Sequence, residues 1–504
     1  MEWTKPLWKK STWNKCATLT RRVGRQMNIS IIKKEFTELM RDGRAISLSA
    51  IVGLLLVLAL STGLSNERTK EQRIFQAKMA DAEAFNAQGE KNPHSAAHFS
   101  RMAHKPIAPL SSFDPGVSSF LGQVIWLEAH YRNPAMFRAA EDAPELSRLE
   151  NFSLAGVLTL VIPLLIILLG YGSISGEKER GTLRQLIGSG TSLQTLLLGK
   201  FIVISATLFF VLLITVSLSI VTSIVLLDEA APSMSDLLMR GVSLLSSYGL
   251  YVLILTAITL LVSTLVSESK TALLILLAVW AITVVALPRL SASIAEQVYP
   301  SPHSHEFWEA TDASLEANRP DGASADYAAV EQRVIERAIG RSLEEGEAEN
   351  LSINARGVRF EVSEVIDSET YNIAFAELFE NYAKQRNLRR LLSIFSPTIA
   401  LQHLSQAFSG TDINAHEHFS NEAERQRNDI VRMLNEEMML NGSGGTSRYL
   451  APAEFWETVP EFQYRQPSVG STWRQSFPDF FILLFWGWVC LVALFLLGRT
   501  RAEF

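Results

Sequence analysis

Residues 152–172 read FSLAGVLTLVIPLLIILLGYG, and the next fifteen, 173–187, read SISGEKERGTLRQLI. The first block has no Asp, Glu, Lys or Arg and is long enough for a helix to cross a hydrocarbon core of about 30 Å. The second places Glu177, Lys178, Glu179, Arg180 and Arg184 close together, then returns to an apolar period through Leu183, Leu186 and Ile187. So sharp a passage from charge-free to charge-dense sequence predicts a membrane span leaving into a short polar loop.

The same alternation recurs along the chain. Five further stretches lack charge: 46–64, 201–227, 241–266, 271–288 and 480–498. Together the six hold 130 of 504 residues, where an even 19% charge would place about 25 charged side chains. That excludes a soluble globular protein. The remaining 374 residues carry all 98 charges, about 26%, as in a water-facing chain. A pI near 5.9 without a basic low-complexity tail argues against nucleic acid as a partner. Two cysteines, Cys16 and Cys490, cannot supply a disulfide framework.

None of the six stretches alternates like a barrel strand. The first follows 45 residues, too many for a signal-peptide leader, and reads as a retained span. Lys and Arg concentrate in 1–45, 173–200, 267–270 and 499–504, which the positive-inside rule assigns to the cytoplasm together with both termini. The opposite side receives 65–151, the acidic turn Asp228–Arg240 and 289–479. Between 289 and 478 there are 17 basic and 29 acidic residues. The expected fold is a polytopic α-helical membrane protein with six transmembrane helices and two mainly α-helical extracytoplasmic domains. In the larger domain, Val362, Val365, Phe375, Leu378, Phe379 and Tyr382 keep a helical period that Ser396-Pro397 closes. A second helix, Asn421–Leu440, ends at the glycine-rich 441–445. The smaller domain carries the turn signal Asp114-Pro115-Gly116.

Two cytoplasmic segments stand out. In 29–40, Ile29, Ile32, Phe36, Leu39 and Met40 share one helical face, with Lys33, Lys34, Glu35, Glu38 and Arg41 elsewhere. This pattern suits a helix lying in the membrane interface, its lysines near anionic headgroups. In the 173–200 loop, Gly181-Thr182 before an apolar run predicts a short helix that the Thr182 hydroxyl can cap. The plain alternatives are a juxtamembrane helix without a partner and an ordinary inter-span loop.

Glu177-x-Glu179-x-Gly181-Thr182-Leu183 after the second span, with Gly199-Lys200 entering the third, resembles the permease subunit of ABC-2-type transporters. The resemblance implies that 173–200 holds a coupling helix for a separate ATPase subunit, with Glu177, Glu179, Arg180, Gly181, Thr182 and Leu183 as coupling residues. Lys33-Lys34-Glu35-Phe36 through Arg41-Asp42-Gly43-Arg44 matches the family's interfacial connecting helix, to which Ile32, Lys33, Lys34, Phe36 and Arg41 are assigned. The outward segments resemble the permease class with a large extracytoplasmic domain of unknown function. The matching pieces are Asp114-Pro115-Gly116, Leu287-Pro288-Arg289, Ser396-Pro397, Gly410-Thr411-Asp412 with His416 and Phe419, and Trp456 through Phe462, Tyr464 and Pro467. By this resemblance the chain sits in a bacterial inner membrane with cytoplasmic N- and C-termini. It pairs with a second permease copy or a related permease, and its outward domains meet a periplasmic partner or cap the exit. ATP and Mg stay on the partner ATPase; no cofactor is expected on this chain.

Absences agree. There is no Gly-x-x-x-x-Gly-Lys-[Ser/Thr] phosphate loop, no His-Glu-x-x-His helix and no Gly-x-Ser-x-Gly elbow. No charged residue interrupts the six stretches to relay protons or ions, which favours energy input from outside the membrane. Thr256, Thr259 and Ser263 are candidates to line a substrate path, although such hydroxyls more often bond their own backbone or pack between helices. Pro163 can kink the second span. All nine histidines fall on the outward side. His303-x-His305 and His416-x-His418 are weak metal candidates, because i and i+2 face one side only on an extended strand.

The sequence therefore points to a permease half of an ATP-driven exporter. The alternative is a membrane-anchored assembly or sensory protein whose outward domains bind a partner without transport. No constellation of catalytic residues supports an outward-facing enzyme.

Overall fold

A computed structural model describes residues 29–138, 152–226, 232–319, 324–344, 346–347, 350–442 and 449–499. The basic tail before residue 29, the start of the acidic turn at 228–231, the glycine-rich loop from 443 and the last residues from 500 lie outside this set.

Six helices among the described residues are long and apolar enough to cross a membrane: α2 (Gly43–Asn86), α4 (Leu154–Gly170), α7 (Leu193–Leu226), α8 (Met234–Leu265), α9 (Ser269–Val298) and α15 (Val469–Arg499). A separate helix, α1, covers 29–41. The loop after α4 holds α5 (Ser175–Glu179) and α6 (Thr182–Gly188). Outside the spans come α3 (Pro93–Ala97), strands β1 (Met102–His104) and β2 (Val124–Trp126), α10 (Ser304–Asn318), α11 (Ala325–Ile339), α12 (Ala355–Leu392), α13 (Pro397–Ser409) and α14 (Ile413–Asn441).

The helices overshoot the charge-free stretches. At 1.5 Å per residue, α2 with its 44 residues is about 66 Å long, twice the hydrocarbon thickness. Its far half forms a stalk that meets β1 and the short helical turn Ala453–Thr458. The extensions of α8 and α15 bring Arg240 and Asp479 into the bundle end, each one residue beyond a charge-free stretch and both buried. Helix α4 runs through Pro163 without interruption.

Helix α8 is the hub, packing on α15, α7, α13, α4 and α9. The presence of α13 there departs from the domain division expected from sequence. Its Ala400, Leu401, Leu404 and Phe408 belong to the same apolar core as the spans. Polar side chains fix it: Tyr248 Oη lies 2.9 Å from Ser405 Oγ, and Tyr251 Oη lies 3.0 Å from Thr398 Oγ1. Thirteen residues are too few to span. Helix α13 is therefore a buried plug between α8 and α15.

The corner between α12 and α13 rests on α9. A π-helical turn, Ala281–Ala286, precedes Pro288, which has no N–H to give to a carbonyl one turn back. The Ser396 hydroxyl donates to the Thr283 carbonyl in that turn. Two Pro-containing motifs far apart in sequence thus meet at one irregularity.

The two segments that the sequence expects to face outward share a core rather than forming two domains. Phe85, Ala96, Ile125 and Leu127 from the first pack with Phe419, Ile430, Leu434 and Trp456 from the second. Trp456 Nε1 donates to Gly89 O (2.6 Å), and Arg101 Nη2 donates to Val459 O (3.0 Å). The reason is size: among the described residues, the two three-residue strands and five-residue helix of the first segment cannot enclose a core unaided. The long helices α12 and α14 supply the missing wall.

Candidate functional site: the loop between α4 and α7

The polar loop is built on glycine chemistry and helix ends. Gly181 has φ of +72°, the left-handed region that disfavours a side chain, and it turns the chain between α5 and α6. Gly181, not Thr182, therefore occupies the N-cap position. Thr182 is the first residue of α6, and its hydroxyl instead donates to the Glu177 carboxylate. Arg180 Nη2 approaches the other oxygen of that carboxylate at 3.4 Å. Leu183 is buried in the bundle core, whereas Glu179, Arg180, Gly181, Arg184 and Gln185 are exposed. The loop has one apolar anchor and one polar, solvent-facing surface.

Two adjacent residues join it to two spans. Lys178 Nζ donates to the carbonyls of Thr264 and Val266 at the C-terminus of α8, where a cation offsets the exposed carbonyl dipoles. Glu179 accepts from Ser269 N (2.8 Å) and Ser269 Oγ (2.8 Å) at the N-terminus of α9, where an anion is favoured. The same hydrogen bonds hold the Glu179 carboxyl below its ordinary range. The resemblance in sequence names Glu179 among the coupling residues and leaves Lys178 out of them. The missed signal is their adjacency, with opposite charges suited to opposite helix ends.

Ser263 completes the joint. Its Oγ accepts from Ile174 N (3.0 Å) and Ser175 N (3.2 Å), so it serves the start of α5. Thr256, Thr259 and Ser263 are all buried within the packed bundle of this chain.

Helix α1 lies against the same end. Its Glu35, placed by periodicity on the polar face, is buried against Lys200 with Oε2 2.7 Å from Nζ. Gly199 explains the approach: a Cβ there would sit 2.8 Å from Ile31 Cγ2. Gly199-Lys200 thus forms one seat for α1, with Gly199 giving room and Lys200 the charge. Lys34 reaches Glu35 (3.5 Å) and Glu38 (3.2 Å), while Lys33 and Arg41 are exposed. Ile29, Phe36 and Met40 are exposed apolar side chains, and Ile32 is half-buried.

Neither weak histidine pair gathers a third ligand among the described residues. His303 begins α10, its backbone N–H donating to Glu306 Oε2 (2.9 Å) in a capping arrangement. The rings of His303 and His305 stack at 5.9 Å. His416 and His418 lie within α14, where residues two apart point in different directions. His418 Nδ1 meets Tyr464 Oη at 3.1 Å, and burial pushes His416 down to about 3. Three other histidines converge instead, His94, His98 and His130.

A comparison with curated proteins finds no match. A family model described as ABC-2 family transporter protein matches residues 29–498, from the start of α1 to the last turn of α15. The match takes in the seat of α1, the loop with its caps on α8 and α9, and all six apolar helices. This multi-pass membrane protein belongs to the ABC-2 family of transporter proteins.

Proposed function

We propose that the chain is the membrane-spanning half of an ATP-driven exporter in a bacterial inner membrane, with both termini in the cytoplasm. The loop 173–200 docks on a separate ATPase subunit. Two permease copies, or this chain and a related one, form the pathway, and the outer domain caps the exit or meets a periplasmic partner.

The observation that carries this reading is the pair Lys178 and Glu179. Adjacent residues of one short helix hold the ends of α8 and α9, so a push on the loop reaches two spans together. The hub position of α8 passes that displacement to α15, α7 and α4. Glu177, Arg180, Gly181, Thr182 and Leu183 shape and anchor the loop, and its exposed side is the docking face. Helix α1, with Phe36 and Met40 exposed, rests in the bilayer interface and holds the start of α7 through Glu35 and Lys200. Thr256, Thr259 and Ser263 reach the substrate only if the bundle opens, because they are enclosed in this state. ATP and Mg remain on the partner, and this chain performs no chemistry of its own.

The test is reconstitution of the chain with its ATPase in vesicles. Glu179→Ala should leave assembly and basal hydrolysis intact while uncoupling hydrolysis from transport by about tenfold or more, as expected when a transmitted displacement is lost. Full coupling in a well-assembled Glu179→Ala protein overturns the assigned role.

A further inference from the structure

His94 lies in α3 and His98, four residues on, caps its C-terminus with helical backbone angles, so their rings share one face. Asn92 sets the start of that helix, its side chain accepting from Ser95 N at 3.2 Å, and Pro93 occupies the first turn. His130 comes from the loop after β2. Ala129 N donates to Ala97 O (3.0 Å), which fastens that loop to the end of α3. The result is three imidazoles whose ligand atoms lie within 4.8 Å of one another. His94 Nε2 and His130 Nε2 are 3.4 Å apart. Donors about 2.0–2.1 Å from a tetrahedral ion are separated by roughly 3.3–3.4 Å.

The surroundings have the form of an outer ligand shell. His130 Nδ1 is 3.5 Å from Glu364 Oε2, which also accepts from the His130 backbone N–H at 3.0 Å. Arg427 holds that carboxylate in a buried pair. A carboxylate on the far nitrogen orients an imidazole and raises its strength as a ligand. Phe360 stacks on the His94 ring, and Asn435 lies beside it. His130 itself has φ of +69°, an uncommon conformation for a non-glycine residue and one that its surroundings must hold in place. All three rings are half-buried, open enough for an ion to enter.

We propose that His94, His98 and His130 form a binding site for a first-row divalent transition ion, Zn²⁺ or Cu²⁺ by ligand type, with a fourth coordination position left to water or an incoming ligand. Three nitrogen donors suit these ions and disfavour Mg²⁺ and Ca²⁺, which require oxygen. The ligands come from the first outward segment, and Phe360, Glu364 and Asn435 behind them come from the second. Occupancy therefore bears on the junction between the segments.

The test uses the full, tag-free chain in detergent after chelator treatment. Zn²⁺ alone, in equilibrium dialysis, should bind at one ion per chain in the presence of excess Mg²⁺. The His94→Ala/His98→Ala double variant should lose at least about 100-fold in affinity, and His303→Ala/His305→Ala should bind as the parent does. Co²⁺ and Cu²⁺ give a reading that needs no substitution: a four-coordinate visible spectrum and nitrogen hyperfine splitting from imidazoles in the unaltered chain. Absence of stoichiometric binding overturns the site. So does binding that survives the double variant, or that is lost with His303 and His305. If the double variant elutes as misfolded protein, the parental spectra and the single His98→Ala variant decide.

Discussion

The two ends of the bundle are held by different means. At the loop end, Lys178 and Glu179 bond helix termini from a polar, partly exposed segment. At the domain end, charges are buried. Arg240 takes Asp236 at 2.7 Å and the carbonyls of Phe408 (3.2 Å) and Pro467 (2.6 Å), while Asp479 takes His403 (2.9 Å) and Arg390 (2.8 Å). Bonds near water are exchanged at little net cost, because water replaces the lost partner. Buried charges have no such substitute, and breaking one pair leaves the other charge stranded. One end can rearrange at little cost; the other holds α8, α13 and α15 as a unit.

The largest effect should come from breaking the buried end. Arg240→Ala strands Asp236 and two carbonyls and should cost about 3–5 kcal/mol, seen as a large fall in the detergent melting temperature. Asp479→Ala should fall in the same range, since it leaves the Arg390 charge without its carboxylate. An unchanged melting point in either variant would erase the contrast. The seat of α1 is intermediate. Lys200→Met leaves the buried Glu35 with only the longer 3.5 Å contact to the exposed Lys34, for about 3 kcal/mol, and Gly199→Val, by crowding Ile31, should cost about 1–3 kcal/mol. Protease sensitivity of α1 should rise in both. The smallest thermal effect belongs to Glu179→Ala, whose melting temperature should match the parent although coupling is lost. A strongly destabilised Glu179→Ala would place the loop in the same class as the domain end.

The resemblance in sequence reached furthest where the relevant residues are neighbours. Glu177 through Leu183 form a local pattern, and the structure keeps them in one loop. Glu35 misled because helical period marks a face as polar without saying what covers it; Lys200, 165 residues away, buries it. The histidines show the same limit. His-x-His spacing is the visible pattern, yet the convergent pair is His94-x-x-x-His98, in and capping a helix of five residues too short to announce itself by period. Asn92-Pro93, a helix-start signal, was the available clue. Nothing local could have added His130.

The sequence by itself determined the six apolar helices and the polar loop between the second and third. Exclusion of charge over about twenty residues is a requirement that each segment meets alone. Tertiary structure alone decided that the two long segments between spans share one core, that α13 plugs the bundle, and that three histidines meet. Each of those depends on partners as far apart as Gly89 and Trp456, chosen by shape, charge and hydrogen bonding rather than by any period within a segment.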